Sequence, residues 1–185
     1  MIDETMLEAE EKMEKAIEIA KEDFATIRTG RANAAMFNKL TVEYYGSRTP
    51  LQQLASFQTP EARTILITPF DKSATAEIEK TLRDSDLGIN PNSDGAVIRV
   101  NLPQLTEERR KEYIKLARTK AEDAKVSIRN IRRKAKEELD RLVKDKEIGE
   151  DEGTRAEKEL EVFTKKHVET VDSILKVKEG ELLEV

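Results

Sequence analysis

Residues 106–146 read TEERRKEYIKLARTKAEDAKVSIRNIRRKAKEELDRLVKDK, and the fold turns on this run. Its apolar side chains Tyr113, Ala117, Ala121, Ala124, Ile128, Ile131, Ala135, Leu139 and Leu142 recur at steps of three and four, the period of one buried helix face. Thr106 is placed to cap such a helix, and Glu107 and Glu108 put negative charge where the N-terminal dipole favours it. At helical rise, some 40 residues predict a rod about 60 Å long.

Beside the apolar seam, Lys111, Arg118, Lys125, Arg129, Arg132 and Lys136 form one basic edge, which spans about 38 Å at helical rise. Arg129, Arg132, Arg133 and Lys136 stand at i, i+3, i+4 and i+7, a density of cations that suits bidentate contacts with phosphates. Charged residues beside a helical core are also commonly solvated or paired with acids on neighbouring helices. The pattern alone leaves both readings open. Arg118 and Lys125 fit internal pairing, whereas the 129–133 cluster is denser than pairing needs.

Working outward, Met6, Ala9, Met13, Ala16, Ala20, Phe24 and Ile27 give residues 1–29 the same helical period, with Asp3 and Glu4 in the first turn and an expected stop at Thr29-Gly30. After the long helix, the stretch from Gly149 to Gly153 reads as a turn. A last helix then places Leu160, Phe163, His167, Val171 and Ile174 on one face. Helices with single apolar stripes are marginal alone, so the three predict a bundle.

Residues 30–105 differ. All 5 prolines of the chain fall there, at Pro50, Pro60, Pro69, Pro91 and Pro103. Between them lie β-type runs at Leu40–Tyr45, Leu51–Phe57, Thr64–Ile67 and Ala96–Val100, the last after an Asn-Ser-Asp-Gly turn. Asp71-Lys72-Ser73 is placed to open one short helix carrying Ala74, Ile78 and Leu82 inward. The expected fold is therefore α+β: an elongated three-helix bundle of residues 1–29 and 106–185, with a small β/α/β domain of residues 30–105 inserted in it. The short linkers near Gly30 and Pro103 suit a hinge.

Composition narrows the function. Charged residues make up 38% and aromatics 4%, which suits long amphipathic helices better than a thick core. The chain has no cysteine, which removes disulfides, thiolate metal sites and cysteine nucleophiles and fits a reducing cytoplasm. The acidic start, Met-Ile-Asp-Glu, does not read as a secretory leader. No run approaches the roughly 20 apolar residues of a membrane helix, so a soluble cytoplasmic protein is expected. Net charge is −5, yet residues 106–146 carry 15 Lys/Arg against 9 Asp/Glu, a local +6. With a screening length of about 8 Å, a partner on that segment feels the local charge rather than the total.

Arg28 and Arg31 bracket Thr29-Gly30, where a dipole partner and a loop charge are the plainer assignments. His167 lies on the core stripe as the single histidine, which does not suit a metal or catalytic role. Phosphate-loop, nucleophile-elbow and zinc-helix motifs are missing from the sequence. Catalysis finds no support in these residues, no cofactor or metal is expected, and an RNA-docking factor stays one open reading. A helical adaptor for another protein is the alternative, and it would need a broad exposed apolar face.

The strings Ile27-Arg28-Thr29-Gly30-Arg31-Ala32, Val42-Glu43-Tyr44-Tyr45-Gly46, Gln53-Leu54-Ala55-Ser56, Ser85-Asp86-Leu87-Gly88, Asn90-Pro91-Asn92, Leu105-Thr106-Glu107-Glu108-Arg109-Arg110-Lys111 and Arg129-Asn130-Ile131-Arg132-Arg133 resemble the bacterial ribosome recycling factor family, in order and over nearly the whole chain. The resemblance implies an L-shaped, tRNA-sized monomer whose helical arm lies on large-subunit ribosomal RNA. It implies that elongation factor G, using GTP, then drives the post-termination ribosome apart. It further implies that Arg132, with Arg129, Arg133, Arg28 and Arg31, faces that RNA, next to Lys136 on the same edge. The hinge it implies is made by Thr29, Gly30 and Arg31 with Gln104, Leu105 and Thr106. Gly149 and Gly153 depart from the family pattern around the start of the last helix.

Overall fold

A computed structural model describes residues 1–184. In chain order the elements are α1 (Ile2–Ala25), a 3-10 turn (Ala34–Phe37), β1 (Thr41–Tyr44), β2 (Ser47–Pro50), a single helical turn α2 (Leu51–Leu54), β3 (Ala55–Glu61) and β4 (Thr64–Pro69). There follow a 3-10 turn (Lys72–Ala74), α3 (Thr75–Arg83), β5 (Asn90–Asp94), β6 (Val97–Asn101), α4 (Glu107–Lys144) and α5 (Glu150–Leu183). The chain divides into two compact units. One comprises Met1–Phe24 and Ile114–Gly180, the other Ala25–Tyr113 with Glu181–Val185. The boundaries expected at 29/30 and 105/106 both fall inside the second.

The helical unit is built on the stripes read from the sequence. Met6, Ala9, Met13, Ala16, Ala20 and Phe24 of α1 are buried, as are Ala117, Ala121, Ala124, Ile128, Ala135, Leu139 and Leu142 of α4 and Leu160, His167 and Val171 of α5. The Thr164 hydroxyl lies 3.9 Å from the sulfur of Met13, so α1 and α5 meet directly. Thr106 caps α4 as expected, its Oγ1 accepting from the Arg109 amide at 3.1 Å.

Two helix ends differ from the sequence reading. The first helix stops at Ala25 rather than at Thr29-Gly30, because Ile27 and Arg28 are drawn into the interior of the second unit and leave the helical path to reach it. The reversal between α4 and α5 is also not the Gly149–Gly153 stretch. It is made by Lys146, in left-handed conformation at φ +59. The Lys146 amide donates to Val143 O at 3.0 Å and the Glu147 amide to Leu142 O at 2.9 Å, the paired bonds that close a helix on a left-handed residue. Gly153 instead lies buried in the first turns of α5, where a Cβ would stand 2.6 Å from Val143 Cγ2. That glycine serves close helix approach, not chain reversal.

In the second unit, β1 and β2 form a hairpin and the other strands a four-stranded antiparallel sheet in the order β3-β4-β6-β5. Ile65 and Ile67 of β4 and Ile98 and Val100 of β6 point to one face, where they bury against Ile78 and Leu82 of α3 and against Phe37 and Leu51. The expected helix opened by Asp71 is present, with Asp71 Oδ1 accepting from the Ser73 amide at 2.9 Å. Two readings are corrected and one strand is added. Leu51–Phe57 is no single strand: Leu51–Leu54 forms a helical turn after Pro50, and β3 begins at Ala55. Ser47–Pro50 forms β2, reached through Tyr45 and Gly46 at positive φ. Asn92, Ser93 and Asp94 lie in β5, and the chain reverses at Gly95 with φ +66. Strand β5 is an edge, where the missing amide of Pro91 does no harm.

Candidate nucleic-acid interface

The basic edge of α4 adjoins α5, and α5 supplies acids to part of it. Arg118 Nε lies 2.7 Å from Glu179 Oε1, Lys125 pairs with Asp172, and Lys136 lies 3.8 Å from Glu157 and 3.2 Å from Asp140 of its own helix. The Asp140 hydrogen bond, aided by the charges of Asp140 and Glu157, raises the Lys136 pKa, so Lys136 is a firmly held cation. Arg118 and Lys125 thus take the internal pairing expected of them.

The 129–133 cluster is different. Arg129 is exposed and reaches only the equally exposed Glu122, at 3.4 Å. Arg132 is half-buried against the bundle and Arg133 is exposed. Among the described residues, neither has a carboxylate within ion-pair distance. Arg132 also stands near enough to Lys136 to oppose its protonation. Arg132 and Arg133, without a carboxylate at ion-pair distance among the described residues, carry charge that an outside anion would relieve. Exposed pairs such as Arg129–Glu122 are worth little and exchange readily for a stronger acceptor.

Arg28 does not join that surface. Only 5% of it is exposed. One Nη donates to the Leu87 carbonyl at 3.3 Å and the other to the Pro103 carbonyl, while its Nε is buried without a partner. Burial lowers its pKa, offset in part by Tyr113. Where the family resemblance implies a residue facing RNA, Arg28 lies desolvated in this structure with its Nη groups on backbone carbonyls. Arg31 is the opposite case, with its side chain 80% exposed and Glu184 a distant 3.9 Å away. Gly30, Arg31, Gln104 and Leu105 line a cavity of about 400 Å³ together with Arg63 and Arg110. Thr29 Oγ1 accepts from the Arg31 amide at 3.3 Å, and the chain resumes as helix after Thr106.

His167 sits in the bundle with Nδ1 2.5 Å from the Phe163 carbonyl one turn before, a core residue satisfied by its own helix. No group of three or more His, Cys, Asp or Glu able to hold a metal occurs among the described residues. None of the described helices is long and apolar enough to cross a membrane. Sequence reasoning missed Tyr44, whose hydroxyl donates to Asp71 Oδ2 at 2.6 Å. That bond raises the Tyr44 pKa to about 12 and lowers that of Asp71. The adjacent tyrosines hinted at it, but the pairing joins residues 27 apart.

Fold and surface together define a mixed helix-and-sheet protein whose helical unit presents an outward cationic edge. Comparison with known proteins makes the class specific. The family model described as Ribosome recycling factor matches residues 20–183, and the chain belongs to that family. It is 74% identical to the ribosome-recycling factor of Kineococcus radiotolerans and 66% identical to that of Streptomyces coelicolor, over all 185 residues and the full length of each relative. Among solved structures, a solution structure of the ribosome recycling factor shares 41% identity at a TM-score of 0.78, covering all of this chain and 98% of the other. Another, at 41% identity and a TM-score of 0.71 with both chains fully covered, is described as models of the Thermus thermophilus factor and Escherichia coli elongation factor G bound to the E. coli post-termination complex.

Proposed function

We propose that this protein recycles ribosomes in the cytoplasm. It binds the large subunit after termination, and elongation factor G with GTP then uses it to split the ribosome into subunits for a new round of translation. Membership of the family, at high identity over the full length, supports the reading, as does a 41%-identical neighbour described together with elongation factor G on a post-termination complex. The observation that carries the docking mode is the exposed or half-exposed arginine cluster of α4, in which Arg132 and Arg133 lack a carboxylate among the described residues.

In this reading Arg132, Arg129 and Arg133 grip ribosomal phosphates, with Lys136 behind them and Arg31 a separate exposed contact. Guanidinium forks suit that task, because each can bind a phosphate through two parallel hydrogen bonds. The protein performs no bond chemistry; the GTP is bound and hydrolysed by its partner. A stiff helix lets a push on one part act on the whole contact. The chain flexes at Thr29, Gly30 and Arg31 and at Gln104, Leu105 and Thr106, where no regular element spans the passage.

The deciding experiment is light scattering of post-termination ribosomes mixed with elongation factor G and GTP, with and without this protein. Faster loss of scattering with the protein is expected. An unchanged rate would overturn the assignment.

A further inference from the structure

Arg28 has surroundings that no phosphate contact requires. Its hydrogen bonds go to two backbone carbonyls far apart in sequence, Leu87 and Pro103. The titratable groups that act on it from the first turns of α4 are Tyr113 and Arg109, and no ion pair joins Arg28 to a carboxylate among the described residues. Burying a cation on those terms is costly, so the planar fork must do something a cheaper side chain cannot. It reaches two acceptors at once in fixed geometry, which the single ammonium of lysine does not.

Arg28 and its two partners mark significant places. Arg28 lies three residues beyond the end of α1, and Pro103 three residues before the Thr106 cap of α4. These are the two passages by which the chain enters and leaves the sheet-bearing segment. Leu87 follows α3 and packs against the core of that unit. Each passage is a few residues of irregular backbone, tied beside it to the β3–β4 turn, with the Ala32 amide donating to the Ala62 carbonyl at 2.6 Å and the Leu102 amide to the Arg63 carbonyl at 2.7 Å.

We propose that Arg28 is a positioning residue that yokes the two passages to each other and to the Leu87 loop, so that they flex as one pivot during recycling. A push delivered through one passage then loads both, instead of being lost in their relative slippage. The inference rests on the recycling function proposed above.

The test compares wild type with Arg28→Met, which removes the donors at similar length, and Arg28→Lys, which keeps the charge without the fork. Three quantities are read: affinity for large subunits as a function of salt, the maximal splitting rate at saturating factor, and amide exchange at residues 87–89 and 104–106 in the free protein. Both variants are expected to bind within twofold of wild type with the same salt slope, yet to split ribosomes about tenfold more slowly, the scale of one lost charge-assisted contact. Amides 104–106 exchange faster in both. Weaker binding with a shallower salt slope in Arg28→Met, rescued by Arg28→Lys, would make Arg28 a phosphate ligand and overturn the yoke. Unchanged exchange and splitting in both would also overturn it. Should Arg28→Met fail to fold, Arg28→Lys decides alone. If wild type itself does not split ribosomes, the function fails, and exchange at 104–106 still judges the yoke.

Discussion

Arg28 and Arg132 carry the same guanidinium and meet opposite surroundings. At the exit of α1 the group is enclosed, desolvated and spent on two carbonyls; in the middle of α4 it stands on a rod with a like charge for a neighbour. The contrast separates two uses of arginine. One fastens backbone to backbone where the chain must pass, and the other keeps a charge unspent until a partner arrives.

The comparison breaks most readily at Arg132. A charge-assisted phosphate contact is worth about 1.5–3 kcal/mol, so Arg132→Ala is expected to weaken large-subunit binding roughly 10- to 100-fold and to reduce the salt slope by about 1. Binding as tight as wild type would remove the cluster from the interface. Arg28→Met is expected to act on stability instead: two buried carbonyls lose their donor, at about 2 kcal/mol in a denaturant titration, with the salt slope untouched.

A third test sharpens the boundary within α4 itself. Arg118 is already paired with Glu179, so Arg118→Ala should change ribosome binding by no more than about twofold, and stability by less than about 1 kcal/mol. Gly153→Ala probes the helical unit away from any cation. A Cβ 2.6 Å from Val143 forces the helices apart, while alanine's helix preference returns about 1 kcal/mol. The net is a loss of about 1 kcal/mol in thermal unfolding, with binding unchanged.

The smallest effect lies in the sheet unit. Asp71 has a lowered pKa, so its bond with Tyr44 contributes above the ordinary carboxylate range and fades as pH falls through the lowered value. Tyr44 is raised to about 12, so its share is complete below the ordinary tyrosine value of about 10 and disappears as pH climbs through about 12. Tyr44→Phe should flatten both limbs of the stability profile. A profile identical to wild type would mean that the bond adds nothing.

The sequence by itself determined the three long helices, because a 3.6-residue period records burial within one element and needs no knowledge of the partner. The dense cations at 129–133 were legible for the same reason, as a property of one helix flank, whereas the internal pairing of Arg118 and Lys125 was expected from the acidic neighbouring helices and needed α5 to supply Glu179 and Asp172. What only the tertiary structure decided were features made by residues distant in the chain. Arg28 is buried because Leu87 and Pro103 come to it, α1 ends early because Ile27 and Arg28 follow that burial, and Gly153 is small because Val143 presses on it. Lys146 took the left-handed seat usually given to glycine, so the turn could not be found by looking for glycines. Strand β2 and the true extent of β5 escaped because short polar strands carry little alternation of their own, and their registers are set by the neighbours that supply their hydrogen bonds.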